Sequence, residues 1–272
     1  MKRYSIGEVS KKLGVTSSFL KYYEQHGVLD PHVAQNGYRS YEGRHISVVQ
    51  ECVKLRNLGY SAAEIRSMLN SPYEETLDAL EAKQEALERQ ICYLKYAKKY
   101  ISMAREEAHF FHEDPCWTVD EHGDFFFLAQ IQDFNFIEDE RVFALAGEWN
   151  QWLPAVRVAA CVNRGHRDGP KIIWGGLAMP MAFARAMNLT YGEPAVYVPP
   201  MRCLEVFDRR PIGDGINDRG LEGVRTSMLA RVNEVIEQHQ FTPLGPSYFF
   251  VRAKLKENGE RVTYQKVLTP VL

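Results

Sequence analysis

Seven side chains in the first part of the chain are of the types that grip nucleic acid. Ser17, Ser18, Lys21 and Tyr22 recur at helical spacing, and Tyr38, Arg39 and Tyr41 follow the turn-forming pair Asn36-Gly37. Lysine and arginine neutralise phosphates, while serine and tyrosine hydroxyls add hydrogen bonds to the sugar-phosphate backbone or to base edges. Adjacent helical positions diverge by about 100°, so Tyr22 and Tyr23 point different ways. Tyr22 is expected outward with Lys21, and Tyr23 inward as core. Ser17 and Ser18, at the helix start, are the expected base-edge readers.

Local signals supply the elements that must hold these groups. Ser5 and Glu8 have capping-box spacing at a helix start. Gly14 suits a tight turn, and Thr16 is a natural N-cap for the next helix. Ile6, Val9, Leu13, Phe19 and Leu20 can close a small core between the two helices. A helix-turn-helix of this kind presents its second helix to a DNA major groove. Asn36-Gly37 favours a tight hairpin, which lays Tyr38, Arg39 and Tyr41 along the DNA backbone.

The 272 residues suffice for two domains and a connector. A net charge of −2 would argue against a nucleic-acid binder, but the average hides an asymmetry. Residues 1–71 carry 10 Lys/Arg against 6 Asp/Glu, whereas 72–112 and 113–272 are both net acidic. Positive charge therefore sits with the phosphate-binding residue types. No apolar run is long enough to span a membrane, and Met1–Ser5 passes into a capped helix without a signal-peptide core. Five scattered cysteines form no C-x-x-C pair, which fits reduced thiols. A cytoplasmic protein with no membrane partner is expected.

Further along, 44–58 reads as a third helix with Ile46, Val49, Val53 and Leu58 on one stripe, and Ser61–Glu64 caps a short fourth. From Tyr73 to about Phe110 there is no Pro or Gly. Leu77, Leu80, Leu87, Ile91, Leu94, Ile101 and Ala108 recur in 3–4 steps, interrupted by Gln84, Lys98 and Arg105. So long a helix does not stand alone. Either it forms an antiparallel coiled coil with a second copy, or it packs on its own C-terminal domain.

Beyond residue 120, alternating apolar stretches take over. Strand 125–136, helix 138–153 and strands 156–162 and 172–178 are followed by a short helix at 181–187. The order then returns as strand 195–207, helix 221–240 and strands 248–256 and 261–268. This βαββ unit written twice would give a curved antiparallel sheet with a cleft between its halves. Aromatic residues that could line the cleft are Trp149, Trp152, Trp174, Tyr197, Tyr248, Phe250 and Tyr264, with Glu148 and Glu205 as acids.

The N-terminal motifs resemble the MerR family of transcriptional regulators. The residues that carry the likeness are Ile6-Gly7-Glu8, Leu13-Gly14-Val15, Leu20-Lys21-Tyr22-Tyr23-Glu24 and Gly37-Tyr38-Arg39-Ser40-Tyr41. Lys21 stands where the family usually has Arg: the charge is kept and the bidentate fork is lost. Gly245–Phe250 and Leu268–Val271 are similar to segments of GyrI-like effector domains. Where drug-binding relatives of that type carry acids, this chain has Phe249 and Lys266, so cation selectivity is not inherited and Lys266 would favour a neutral or anionic ligand.

The resemblance implies a dimeric regulator on double-stranded promoter DNA, with a small aromatic or lipophilic effector in the C-terminal cleft. It also implies DNA distortion that realigns the promoter for RNA polymerase. The expected fold is multidomain, α and α+β. A winged helix-turn-helix (1–71) leads to a dimerisation helix forming an antiparallel coiled coil (72–112), a linker (113–119) and a duplicated βαββ antiparallel-sheet domain of GyrI-like type (120–272). No cofactor and no catalysis are expected. Two competing readings are a metal sensor through His109, His112 and Cys116, and a GyrI-like hydrolase of a reactive small molecule. Phe249 and Lys266 remove the acid or base such a hydrolase would need.

Overall fold

The computed structural model describes residues 2–35, 37–112, 114–164, 173–211 and 216–272. Asn36 of the expected wing turn, residue 113 of the expected linker and Ile172 at an expected strand start lie outside them. The chain divides into two compact units, Met1–Glu88 and Arg89–Leu272, with the boundary inside one long helix.

In the first unit, β1 (Tyr4–Ser5) leads into α1 (Ile6–Leu13) and α2 (Ser17–Gln25). The Ser5–Glu8 capping box forms, with the Ser5 backbone N–H donating to Glu8 Oε2 at 2.8 Å. Gly14 ends α1 at φ +66, a left-handed conformation in which a side chain would be strained. Thr16 Oγ1 then caps α2 by accepting from the Phe19 N–H at 3.0 Å. The wing consists of β2 (His32–Val33) and β3 (Arg39–Tyr41), and with β1 these form a three-stranded sheet in the order β1-β3-β2. α3 (Gly43–Asn57) and α4 (Ala62–Asn70) complete the unit. Val9, Leu20, Tyr23, Tyr41, Val49, Cys52 and Ile65 are the centre of its core. The buried stripe of α3 is His45, Val49, Cys52 and Leu55, while Leu58 is left exposed beyond the helix end.

α5 (Tyr73–Glu106) runs 34 residues, so it is about 51 Å long at roughly 1.5 Å per residue. It then tightens into a 3-10 turn, Glu107–Phe111, instead of continuing as α-helix to residue 110. No residue of α5 is buried. Its C-terminal half has two opposed apolar faces. Cys92, Tyr93 and Tyr96 pack on the core of the second unit, whereas Ile91, Leu94 and Ile101 are more than half exposed.

The second unit is built on one nine-stranded sheet. Its strands are β4 (Trp117–His122), β5 (Phe125–Gln132), β6 (Asn135–Phe136), β7 (Arg157–Val162), β8 (Ile173–Pro180), β9 (Val196–Val198), β10 (Met201–Pro211), β11 (Ser247–Glu257) and β12 (Glu260–Pro270). They lie in the order β4-β10-β12-β11-β7-β8-β5-β6, with β9 also paired to β5. α6 (Glu140–Asn150), α7 (Met181–Met187) and α8 (Ile216–His239) interrupt the strands. Side-chain alternation divides the sheet's two faces. Phe126, Leu128, Leu177 and Met179 pack with α6 and α7, and Leu204, Val206, Phe249 and Val267 pack with α8. Phe125, Phe127, Ala159, Cys161, Tyr248 and Phe250 point to the opposite face.

The strands differ from expectation in three places. β4 starts inside the segment read as a linker. The strand expected over 125–136 breaks at Asp133 and Phe134, whose φ values of 47 and 69 turn the chain back as the β5–β6 hairpin. The strand expected over 195–207 breaks at Pro199-Pro200, because proline has no N–H for the ladder. Where β8 crosses the β5 bulge, a Cβ on Gly176 would lie 1.9 Å from the Leu128 carbonyl oxygen, so only glycine fits there.

Candidate nucleic-acid interface and cavity

The second helix of the first unit is sharply two-sided. Phe19, Leu20 and Tyr23 are buried, while Ser18, Lys21 and Tyr22 are exposed. Ser17 is half-buried and shares a hydrogen bond with Ser10 Oγ at 3.1 Å. Its hydroxyl therefore also ties α2 to α1. The ring of Tyr22 lies against His26, with centroids 4.2 Å apart.

The wing residues fall into different environments. Tyr38 is 75% exposed and Arg39 is half-buried. Tyr41, read from sequence as a DNA contact, is instead fully buried and donates its hydroxyl hydrogen bond to Glu24. Glu24 also receives the Arg39 Nε–H and ion-pairs with that guanidinium. One carboxylate at the end of α2 thus clamps the wing strand through two residues. Burial, reinforced by that carboxylate, pushes the Tyr41 phenol pKa well up. Strand alternation puts Arg39 and Tyr41 on one face of β3, where Glu24 meets both, and Tyr41, opposite Tyr4 in the ladder, is the one that reaches the core.

In the second unit, a partly open cavity of about 480 Å³ lies on the sheet face away from α6 and α8. This volume falls within the usual range for small-molecule sites. β5, β7, β10, β11 and β12 contribute Phe125, Arg157, Glu205, Phe250 and Lys266 to its wall. Tyr96, Tyr100 and Met103 of α5 close another side, and His122 stands at the turn from β4 to β5. A larger hollow in the first unit, about 700 Å³ and lined by Gln25, His26 and Arg66 among others, is shallow and open to solvent. It has no apolar wall comparable to that of the second unit's cavity.

Of the nine residues read as ligand contacts, Glu205, Phe250 and Lys266 line this cavity. The other six lie elsewhere. Trp149 is fully buried on the inner face of α6, its indole N–H donating to the Thr190 carbonyl at 3.0 Å. Trp152 packs between Tyr93 and Phe183. Trp174 shares the cavity's sheet face but pairs with Cys161, two rungs of the β7–β8 ladder past Ala159. Tyr248 packs edge-on to Phe125, with centroids 5.2 Å apart. Tyr197 is exposed and donates to Asp124 at 3.1 Å. Tyr264 donates its hydroxyl hydrogen bond to Glu257. Glu148 accepts from the Thr190 N–H and does not line the cavity.

Charge is the unexpected feature of this wall. Lys266 Nζ lies 2.6 Å from Glu205 and 3.1 Å from Glu107. Glu107 also receives two hydrogen bonds from Arg252, at 2.7 and 3.0 Å. Burial by itself would raise the Glu107 carboxyl, but Arg252 and Lys266 together hold it below the ordinary carboxylate value. Lys266 is therefore a compensated cation, and its expected role in attracting an anion passes elsewhere. Arg157 takes that place in the wall. Its guanidinium lies 5.9 Å from the Phe250 ring centroid, and its one hydrogen-bond contact among the described residues is Met103 Sδ at 3.9 Å. Desolvation, aided by nearby Arg252, pushes its pKa down to about 10, so it remains charged at neutral pH.

His122 is stacked near Phe250, with centroids 6.0 Å apart, and its Nδ1 lies 2.8 Å from the Gly123 carbonyl oxygen. A carbonyl only accepts, so Nδ1 carries the proton and Nε2 is left as an acceptor. Burial drives the His122 pKa down to about 4.

Arg157, His122 and the three α5 residues escaped the sequence reading. One signal for Arg157 was present: it shares strand parity with Ala159 and Cys161, whose side chains face inward. The His109, His112 and Cys116 set does not assemble. His109 stacks on Phe110, Cys116 is contacted by Arg231, and among the described residues no three His, Cys, Asp or Glu side chains could hold a metal. No helix among the described residues is long and apolar enough to cross a membrane.

Comparison with known proteins places the first unit. Residues 4–72 match the model of the MerR HTH family regulatory proteins. The ZntR homolog of Haemophilus influenzae, an HTH-type transcriptional regulator, is 32% identical over 105 residues, which are 38% of this chain and 73% of that protein. The regulator CueR of Salmonella typhi is 28% identical over 86 residues, 31% of this chain, and the chain spans 62% of that relative's length. Among solved structures, the cryo-EM structure of an EcmrR–DNA complex aligns over 98% of this chain and 99% of that one, at 14% identity and a TM-score of 0.35.

Proposed function

Because this chain belongs to the MerR family of helix-turn-helix regulatory proteins, we propose that it binds double-stranded promoter DNA as a homodimer and alters transcription when a small molecule fills the cavity of its second unit. The observation that carries the DNA half is the two-sided helix α2. Ser18, Lys21 and Tyr22 stand exposed together over a core sealed by Phe19, Leu20 and Tyr23, with Tyr38 exposed on the wing. An element so arranged fits a major groove, and the local excess of Lys/Arg supplies phosphate contacts. Arg39 contributes from the wing, where its charge is shared with Glu24.

The dimer reading rests on α5. Its exposed Ile91, Leu94 and Ile101 are separated by three and seven residues and form a stripe opposite the face that packs on the second unit. A second copy in an antiparallel coiled coil would cover that stripe. The cavity touches the same helix through Tyr96, Tyr100 and Met103. A ligand that favours one position of α5 thus has a physical route to the dimer seam, provided it binds that state more tightly. DNA deformation that realigns a promoter for RNA polymerase is the output we assign.

The second unit is read as a GyrI-like effector domain. The order β5-α6-β7-β8 is followed by β10-α8-β11-β12, and the cavity lies on the sheet face opposite the helices, which supports that reading. The wall of Phe125, Phe250, Tyr96 and Tyr100 suits a flat, apolar ligand, and the role is binding without catalysis.

Selection of binding sites from a random double-stranded DNA library tests the reading directly. An enriched inverted repeat that is lost with Lys21→Ala is the expected result. Uniform, sequence-independent retention would remove the promoter-binding assignment.

A further inference from the structure

We infer that the cavity's ligand is a small aromatic compound bearing an anionic group, a carboxylate or a group of similar charge, which pairs with the Arg157 guanidinium while its ring lies against Phe250. This rests on the reading of the cavity as the effector site and gives that effector a chemical class.

Buried charge around the cavity does not cancel. Arg252, Glu107, Lys266 and Glu205 form a chain of alternating sign, two cations and two anions, with each link at 3.1 Å or less. It presents no net charge to the cavity. Arg157 is outside that chain, and no carboxylate among the described residues lies within ion-pair distance of it. Its contact with Met103 Sδ engages one of five N–H donors, and weakly. The only fully enclosed, unpartnered side-chain nitrogen or oxygen among the described residues is Trp152 Nε1. The remaining Arg157 donors therefore keep access to the cavity.

A half-buried cation with no carboxylate in direct contact, and only the longer-range pull of Glu107 and Glu205 that Lys266 and Arg252 already share, is unfavourable in the empty protein, and a bound anion relieves it. Guanidinium is suited to this because its planar fork holds a carboxylate through two parallel hydrogen bonds. The face of Phe250 is already turned toward Arg157, so a ring bound beside it would stack on an existing aromatic surface. His122 complements the arginine: its Nε2 accepts where Arg157 donates, and it adds no charge near neutral pH. Asp120, Glu121 and Asp124 also line the cavity, as does Lys99. Asp120 and Glu121 are exposed and screened by water and salt, and Asp124 is bonded to the Tyr197 hydroxyl. Charge of that kind slows an anion's entry more than it weakens the bound state.

Three compounds of one shape separate the possibilities: 2-naphthoate, the neutral 2-naphthamide and the cationic 2-naphthylmethylammonium. Each is titrated calorimetrically into the full chain at neutral pH. Naphthoate is expected to bind at least tenfold more tightly than either of the others. Arg157→Met should erase that margin and leave naphthamide affinity unchanged, and Arg157→Lys should keep part of it. The ranking in the unsubstituted protein needs no variant to fold. Tightest binding of the ammonium compound, or naphthoate affinity that survives Arg157→Met, overturns the inference and leaves the cavity reading standing. Failure of all three to bind overturns both.

Discussion

Lys266 lies between two carboxylates, and the closer is Glu205, 2.6 Å away, with both side chains about nine-tenths buried. The pair fixes β12 against β10, strands that run antiparallel with Phe207 directly opposite Lys266. Removing one partner strands the other. Lys266→Met should cost about 3–5 kcal/mol, because Glu205 is left as a buried charge with no counter-ion. The double change Lys266→Met with Glu205→Leu should recover most of that loss. Urea denaturation followed by tryptophan fluorescence makes the comparison, and a double variant no more stable than the single one would show that the pair is not coupled in this way.

The two wing tyrosines should behave oppositely. Tyr41→Phe removes a buried hydrogen bond to the charged Glu24, a loss of about 1.5–3 kcal/mol. Tyr38→Phe, at an exposed position, should change stability by less than about 0.5 kcal/mol. Thermal melts of both variants give the answer. Equal destabilisation would mean that Glu24 does not hold the wing as the structure indicates.

Lys21 should contribute charge to DNA binding. Lys21→Ala is expected to reduce the salt dependence of binding by about one phosphate contact per protomer. Fluorescence anisotropy across a salt series reads the slope. An unchanged slope would place Lys21 away from phosphate.

On α5, Ile91→Glu with Leu94→Glu puts charge on the exposed apolar stripe without touching Cys92, Tyr93 or Tyr96. The original chain is expected to sediment as a dimer, and the variant as a monomer with unchanged circular dichroism. A dimer that persists in the variant would mean that the seam lies elsewhere.

His122 gives stability a pH slope of known sign. The folded chain keeps this ring neutral down to about pH 4, while the unfolded chain takes up its proton near pH 6.5. The unfolded state therefore binds more protons between these values. The stability present above pH 6.5 falls as the pH is lowered toward 4, by at most about 3 kcal/mol. His122→Gln should flatten that slope by one proton. Denaturation midpoints measured at half-unit pH steps would detect it, and identical slopes for the two proteins would count against a buried neutral ring.

Much of the first unit could be read directly because its determinants are local. A capping box spans four residues, a helical face repeats every three or four, and Gly14 carries its turn in its own φ. Ser18, Lys21 and Tyr22 separated from Tyr23 on this basis alone. Tyr41 did not, because its burial depends on α2 delivering Glu24 from 17 positions away. β4 was missed for a related reason. It is an edge strand with no fully buried side chain, and its apolar alternation is limited to Trp117 and Val119, too short to mark a strand.

In the second unit, composition and periodicity determined that strands and helices would alternate, and roughly where. They also showed that the long helix would expose an apolar stripe. Only the tertiary structure decided which aromatic residues became core and which charges met. Arg157 and Phe250 share a wall because β7 pairs with β11 in one register, with Ala159 opposite Phe250. A slip of one residue would turn each of these side chains to the other face. Lys266 meets Glu107 across 159 residues of chain. Helical and turn signals come from neighbours joined by a few covalent bonds, whereas strand register is selected by the burial of a whole face. The sequence alone therefore gave the ligand's charge to Lys266, and the fold neutralised Lys266 and left Arg157 to carry it.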